Sequence, residues 1–346
     1  MPCSDKIALV SSSAAAGCEV MSTPIEEERA DRAEGFRPRA SVIVCAYSNE
    51  RLPQLKETIA SLQKQTYPPS EIVLIIDHNP ELQAELERLA GDALRIAPNN
   101  GERGLANARN TGIALADAEV VAFIDDDAAA ESRWLEELVA CYQDPDVIGA
   151  GGRIEPVWEG GRKPTWLPEE FLWTIGCSYR GMAEGSIRNM IGCNMSFRSS
   201  VFEEVGLFNP DIGRLGNQPL GCEETEICIR ALERWPGKKI LYAPEALVHH
   251  HATLSRQTVH YFARRCYFEG VSKVVVRRLR GRAATSAEVG YLSRTLPNAI
   301  LREARNVVLL KDAGGSASRI GMTALGVGAV GAGFAFEFLR GKIRRR

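Results

Sequence analysis

The stretch "GERGLANARNTGIALADAEVVAFIDDDA", Gly101 to Ala128, decides how this chain is read. Its glycines form a turn that enters a helix, and "EVVAFI" follows as a short continuous apolar run. Such runs are strands buried on both faces of a sheet. This one ends in three adjacent carboxylates, Asp125, Asp126 and Asp127. Like charges this close repel one another, so something positive is expected to join them.

Upstream the same alternation repeats. "SVIVCAY" is another buried strand, and Arg51 to Gln65 has helical periodicity with Leu55, Ile59 and Leu62 on one side. "EIVLII", Glu71 to Ile76, ends at Asp77; Pro80 to Ala90 reads as a helix capped by Asn79, and "ALRIA" is a further short strand. Strands alternating with helices predict an α/β fold with a Rossmann-like, mostly parallel sheet flanked by helices. Ligands of such sheets bind beyond the carboxyl ends of the strands. Polar residues gather there: Tyr47, Asn49 and Glu50 after the first strand, Asp77 after the second, and the three aspartates after the fourth.

Beyond residue 150 the alternation weakens. "GGRIEPVWEGGRKPTWLPEEFLW" reads as loop with short strands, and Trp158, Trp166 and Trp173 in it offer faces for a sugar ring or for the core. "IGCNMSFRSSVFEEVGLF" is a strand and a helix. "GCEETEICIRALER" is a helix entry whose glutamates Glu223, Glu224 and Glu226 suit a helix N-terminus on dipole grounds alone. "VHHHATLSR" reads as a polar loop after a short apolar strand. Thr258 to Arg280 and Pro297 to Lys311 are basic, amphipathic helical stretches.

Composition is that of a soluble globular chain: 346 residues, 45% hydrophobic and 25% charged. A formal net charge of −2 hides an asymmetry. From Lys273 onward there are 15 Lys+Arg against 4 Asp+Glu, a net of +11, and the remainder carries 27 against 40, a net of −13. Such a tail is built to meet something anionic, such as a membrane surface. Nine scattered cysteines with no CxxC pair fit reduced cytosolic thiols rather than a disulfide framework or a zinc site. Residues 1–38 read as a flexible leader without a secretory signal. Residues 320–339, "IGMTALGVGAVGAGFAFEFL", hold one charge and are long enough for about 30 Å of helix. Ala324, Gly328 and Ala332 form a small-residue row suited to close helix contact in lipid. A buried glycine-rich helix of a soluble protein is the alternative. If the segment spans a bilayer, its basic end favours the cytoplasmic side.

Taken in order, these blocks resemble the family 2 glycosyltransferases, which have a GT-A fold. The residues that carry the resemblance are "SVIVCAYSNE", "IVLIIDHNPE", "RGLANARNTGIALADAEVVAFIDDDA", "GCNMSFRSSVFEEVGLFNP" and "GCEETEICIR", over residues 40 to about 272. Two places depart from the family pattern: "DHNP" stands where "DDGS" is usual, and Glu223-Glu224 where Glu-Asp is usual. The resemblance implies a nucleotide-sugar donor, a glycan or lipid-linked acceptor and a divalent metal, Mn²⁺ or Mg²⁺. It does not imply nucleic acid as a partner.

The resemblance also assigns roles. Tyr47, Asn49, Glu50, Asp77, Asn107, Arg109, Asp125 and Asp126 would bind the nucleotide sugar, with Asp77 reading the base. Asp125 and Asp127 would hold the metal, with His250 completing its shell and His251 as the next candidate. Arg256 could reach the diphosphate. Glu224 would be the general base, with Glu223 as runner-up. The implied organisation is a GT-A domain over 39–272, divided into a nucleotide half (39–130) and an acceptor half (131–272). A basic helical extension follows over 273–346. Three rival functions use a similar architecture. A nucleotidyltransferase or a dinucleotide-dependent oxidoreductase would need a glycine-rich phosphate loop after the first strand, and "CAYSNERLPQ" lacks one. A catalytically silent membrane-associated scaffold of the same fold is the third.

Overall fold

A computed structural model describes residues 37–89, 94–213, 220–281 and 286–343. The expected leader therefore lies, up to residue 36, outside the described residues. Pro38–Arg346 cluster as one unit.

The first half follows the expected alternation. Strands β1 (Ala40–Ala46), β2 (Glu71–Ile76), β3 (Leu94–Pro98) and β4 (Val120–Asp125) are mutually parallel in the spatial order β3-β2-β1-β4. Helices α1 (Leu52–Leu62), α2 (Pro80–Leu89) and α3 (Leu105–Leu115) make the crossovers. Parallel neighbours need such crossovers, which cover both sheet faces and leave the strands fully apolar. Val42, Val44, Leu74 and Val120 are accordingly inaccessible to solvent. Pro53 sits in the first turn of α1, where its missing N–H costs nothing. The Asn79 side chain caps α2, accepting from the Leu82 N–H at 3.1 Å. Gly112 lets α3 press onto β1: a Cβ there would lie 2.6 Å from a methyl of Ile43. That close seating fixes where Asn107 and Arg109 project.

Beyond β4 the sheet becomes mixed. Its path continues through β8 (Asn194–Arg198), β6 (Val147–Trp158), β9 (Lys239–Ala252) and the short β5 (Ala128–Ala130), with β7 (Gly185–Ile187) beside β9. β8 runs antiparallel to both β4 and β6, and β9 is parallel to β6. Two expectations are corrected here. Residues 151–158 of the segment read as loop with short strands belong to β6, a twelve-residue strand. Its glycines are not turn residues: a Cβ on Gly152 would overlap the Ala246 carbonyl, so glycine permits the close approach of β9. The histidine triplet lies inside β9 and not in a loop after it. His250 pairs with Ala128 on one side and Pro156 on the other.

Helix α4 (Trp134–Ala140) packs under this half, and α5 (Ser199–Val205) and α6 (Glu223–Arg234) follow in the chain. The last helices are α7 (Val259–Arg280), α8 (Ser286–Gly290), α9 (Leu296–Val308) and α10 (Ala313–Ile343). A π-helical turn, Tyr291–Thr295, joins α8 to α9. α10 lies along α7, and a Cβ on Gly333 or Gly270 would overlap the backbone of the facing helix at Tyr267 or Val330. The Ala324, Gly328, Ala332 row does not make this contact; it is exposed. Residues Ala313–Gly341 are long and apolar enough to cross a membrane by length and composition, with a mean hydropathy of 1.5, and 22% of that apolar window is buried. Trp158, Trp166 and Trp173 are partly buried in an aromatic cluster with Phe171 and Phe262.

Candidate active site

The site lies where β4 ends. Asp125 is its last residue and is half-buried, whereas Asp126 and Asp127 are 3% and 2% exposed. Buried carboxylates persist only with partners. Arg51 supplies one, since its Nη1 lies 2.6 Å from Asp126 Oδ1 and 3.1 Å from Asp127 Oδ2. β9 supplies another: His250 Nε2 stands 3.2 Å from Asp127 Oδ1. Arg256 follows at 3.7 Å from Asp127 Oδ2, and its Nη1 is 3.3 Å from His250 Nε2. Two acids a peptide bond apart therefore titrate in opposite directions. Burial pushes Asp126 up to about 6 against the pull of Arg51. Burial also raises Asp127, but His250, Arg51 and Arg256 outweigh it and hold this carboxyl well below the usual range. Burial lowers His250, yet Asp127 overrides that and lifts the imidazole to about 10.

This cluster fits a divalent cation. Asp125, Cys193 and His250 place one donor atom each within 4.8 Å of one another. Asp127 turns its buried Oδ1 to the same histidine and its Oδ2 to Arg51 and Arg256. Carboxylates with an imidazole suit Mn²⁺ or Mg²⁺. Cys193 does not suit a hard cation, because burial pushes its thiol well above the usual range and keeps it protonated.

A second carboxylate pair stands across the site at the start of α6. Arg109, 3% exposed, connects the two clusters. Its Nη2 is 3.6 Å from Asp125 Oδ1 and its Nη1 donates to Glu223 Oε1 at 3.1 Å. It also donates to the Gly192 carbonyl at 3.1 Å and lies over the Phe208 ring. Glu223 Oε2 is buried without a partner. Glu224, half-buried, has no side-chain hydrogen-bond or ion-pair partner among the described residues; burial, then the charge of Glu223, push it up to about 8. Cys222, with φ +79, turns the chain sharply into α6 and sets both glutamates at its first turn. Glu226 is instead engaged by Arg230 and Arg280, a structural role.

Asp77 is farther along the strand ends and already committed in part. Its Oδ1 accepts from Asn99 Nδ2 at 2.7 Å and its Oδ2 from the Gly104 N–H at 3.0 Å, which shapes the loop before α3. His78, at φ +55, turns its ring to the Gly101 carbonyl, 2.9 Å away. Asn79 Nδ2 donates to the Tyr47 carbonyl at 3.1 Å and to Asn49 Oδ1 at 2.8 Å, so the first and second strand ends are tied together. Tyr47 and Glu50 are exposed beside them.

The structure thus brings together Asp125, Asp126, Asp127, His250, Arg109, Glu223 and Glu224, while Asp77, Tyr47, Asn49 and Glu50 form a neighbouring group. Asn107 is not brought in. Two positions before Arg109 on a helix, it faces away and lines an open depression with Asn100, Gly101 and Thr111. His251 pairs with Glu57 at 3.2 Å, outside the cluster. Arg51 and Asn99 were not singled out from sequence. Arg51 stands 75 residues from Asp126, and only its place just after a strand end hinted at it.

The family model described as "Glycosyl transferase family 2" matches residues 41–206. A glucosyl-dolichyl phosphate glucuronosyltransferase of Haloferax volcanii is 36% identical over 278 residues, covering 78% of this chain and 87% of that protein. A succinoglycan biosynthesis protein, ExoM of Rhizobium meliloti, is 26% identical over 240 residues, covering 66% and 71%. Among solved structures, mannosyltransferase PcManGT from Pyrobaculum calidifontis, in complex with GDP-Man and Mn²⁺, superposes with a TM-score of 0.54 at 18% identity, covering 88% of each chain. That likeness shows a shared GT-A fold.

Proposed function

The chain belongs to glycosyl transferase family 2 and is a glycosyltransferase, and from that premise we propose that it inverts the sugar it transfers. The donor is a nucleoside-diphosphate sugar, the acceptor a hydroxyl of a lipid-linked glycan, and the place the cytoplasmic face of a membrane. The observation that carries this reading is Arg109, which ties the aspartates at the end of β4 to the glutamates of α6. A donor-side and an acceptor-side cluster are thereby held in fixed relation, as a single displacement requires.

Asp125, Asp127 and His250 would hold a divalent cation, which when bound neutralises charge on the departing diphosphate. Arg51 and Arg256, which face Asp127, are cations of this chain at the same place. Asp77, with Tyr47 and Asn49 beside it, receives the base and ribose. Glu224 takes the proton. The acceptor oxygen bonds to the anomeric carbon, the bond from that carbon to the diphosphate oxygen breaks with its electron pair, and the hydroxyl proton passes to the Glu224 carboxylate. Attack from the face opposite the leaving group inverts the centre. Glu223 holds Arg109 and keeps Glu224 basic through its own charge. Residues 39–130 serve the donor, 131–272 the acceptor, and 273–346 the membrane.

The lipid-linked acceptor is supported by the relative that acts on a glucosyl-dolichyl phosphate, and the location by the basic, apolar C-terminal region. The test is transfer from a panel of nucleotide sugars to a polyprenyl-phosphate-linked sugar, with NMR of the product and a chelator control. An inverted anomeric configuration and loss of turnover with chelator are expected. Retention of configuration sinks the single displacement, and full activity in chelator sinks the metal role.

A further inference from the structure

The C-terminal helices leave an apolar face that nothing in the described chain covers. On α10, Leu325, Gly328, Ala332, Phe336 and Leu339 recur at helical spacing and are all exposed, Phe336 by 54%. Over that strip there is no charge, and it runs for about 20 Å at 1.5 Å per residue. The turn leading into α10 is apolar as well: Val308 and Leu310 are 80% and 83% exposed. Leu310 holds a left-handed backbone at φ +53, a conformation that leucine rarely adopts. Strained residues concentrate where a segment has work to do.

Charge around this face is one-sided. All four acids after residue 272 are engaged inside the protein: Glu288 by Arg188, Glu303 and Asp312 by Arg319, Glu337 by Arg278. Arg294, Arg305 and Lys311 have no carboxylate partner among the described residues, and Lys311 adjoins the apolar turn. An apolar strip whose leading turn adjoins the unpaired Lys311, in a C-terminal region of net charge +11, matches an anionic lipid surface in both respects.

The opposite face of α10 decides the manner of contact. It is seated on α7 through Gly270 and Gly333 at backbone contact distance, and α10 is further tied by Arg319–Glu303 at 2.8 Å and by Arg278–Glu337. A helix crossing the bilayer would abandon that seat and expose those ion pairs to lipid. α7 cannot accompany it, because it is tied to the catalytic body: Ser272 Oγ accepts from the Gly221 N–H at 3.3 Å, and Arg280 pairs with Glu226. We propose that α10 and the α9–α10 turn form an in-plane docking face for an anionic bilayer, with Leu310 and Phe336 inserted below the headgroups. This rests on the membrane location proposed above and specifies its geometry.

The test is flotation of the full chain with vesicles of phosphatidylcholine alone and of phosphatidylcholine mixed with phosphatidylglycerol. Leu310→Glu and Phe336→Glu are run alongside, and nucleoside-diphosphate thermal shift with Mn²⁺ is measured on every sample. Binding to the anionic vesicles, release by alkaline carbonate, and about a tenfold weaker partition for each variant are expected. Thermal shifts should be unchanged. Three results overturn the proposal: no flotation on anionic vesicles, equal flotation of both variants, or resistance to carbonate, which marks a spanning helix. A dimer in the ultracentrifuge that both variants dissociate would assign the face to a second copy instead. If flotation fails while the thermal shift persists, only the docking face is lost; if the shift fails while flotation persists, the donor site is the faulty part.

Discussion

Replacing Glu224 by glutamine should make the protein more stable and nearly inactive, and the pH at which each effect appears is set by the structure. Glu224 is pushed from 4.5 up to about 8 by burial and by Glu223. The folded protein therefore keeps a proton that the unfolded chain has lost between these values. Stability falls as pH rises from about 4.5 to about 8 and is level beyond. At pH 7 the removed penalty is at most about 3 kcal/mol, and less for the part of the side chain that water reaches. Glu224→Gln should show that gain in urea unfolding at pH 7 and little of it near pH 4. Activity follows the same group with opposite sign, because a base works only when ionised. About a tenth of Glu224 is ionised at pH 7 and about nine tenths at pH 9, so kcat/KM should rise roughly tenfold across that interval. Glu223→Gln should move the inflexion toward lower pH. A flat profile, or an inflexion near 4.5 in the wild type, would refute the claim that a half-buried Glu224, raised by Glu223, is the base.

Other substitutions probe the supports. Arg109→Met strands Glu223 and unties Asp125, at a cost of about 3–5 kcal/mol in chemical denaturation. Arg109→Lys should restore part of the stability and less of the turnover, since one ammonium cannot fork between the two acids. Asp77→Ala frees the Asn99 amide and the Gly104 N–H, costing about 1–3 kcal/mol and raising KM for the donor more than it lowers kcat. Gly333→Leu drives a side chain into the Tyr267 backbone and should lower stability by about 1–3 kcal/mol, read as a drop in Tm.

What the sequence disclosed and what it concealed divide along the distance between partners. The alternation from Ala40 to Asp125 is legible because each strand and helix is written locally; Asn79 as a cap, for example, needs only the next three residues. β6 was hidden because glycines at 149, 151 and 152 look like a turn when the strand that presses on them is unseen. The three aspartates could be recognised, and the resemblance set His250 and Arg109 near them, but Arg51 was not foreseen. Arg51, His250 and Arg109 come from three elements, and only the sheet order brings β9 beside the end of β4. The opposite fates of Asp126 and Asp127 depend on that convergence. Glu226 illustrates the converse: helix-dipole reasoning suffices for its position, and its carboxylate is engaged by Arg230 and Arg280. The small-residue row on α10 is exposed, and the close contact with α7 falls instead to Gly333 and the facing Gly270.

The most direct measurement is thermal-shift binding of nucleoside diphosphates to the wild type and to Asp127→Ala, each with and without Mn²⁺. The wild type should be stabilised by one base, only when the cation is present, and Asp127→Ala should lose that increment while folding normally. Equal stabilisation without the cation, or an unaltered increment in Asp127→Ala, would contradict a metal-bridged donor site at the end of β4.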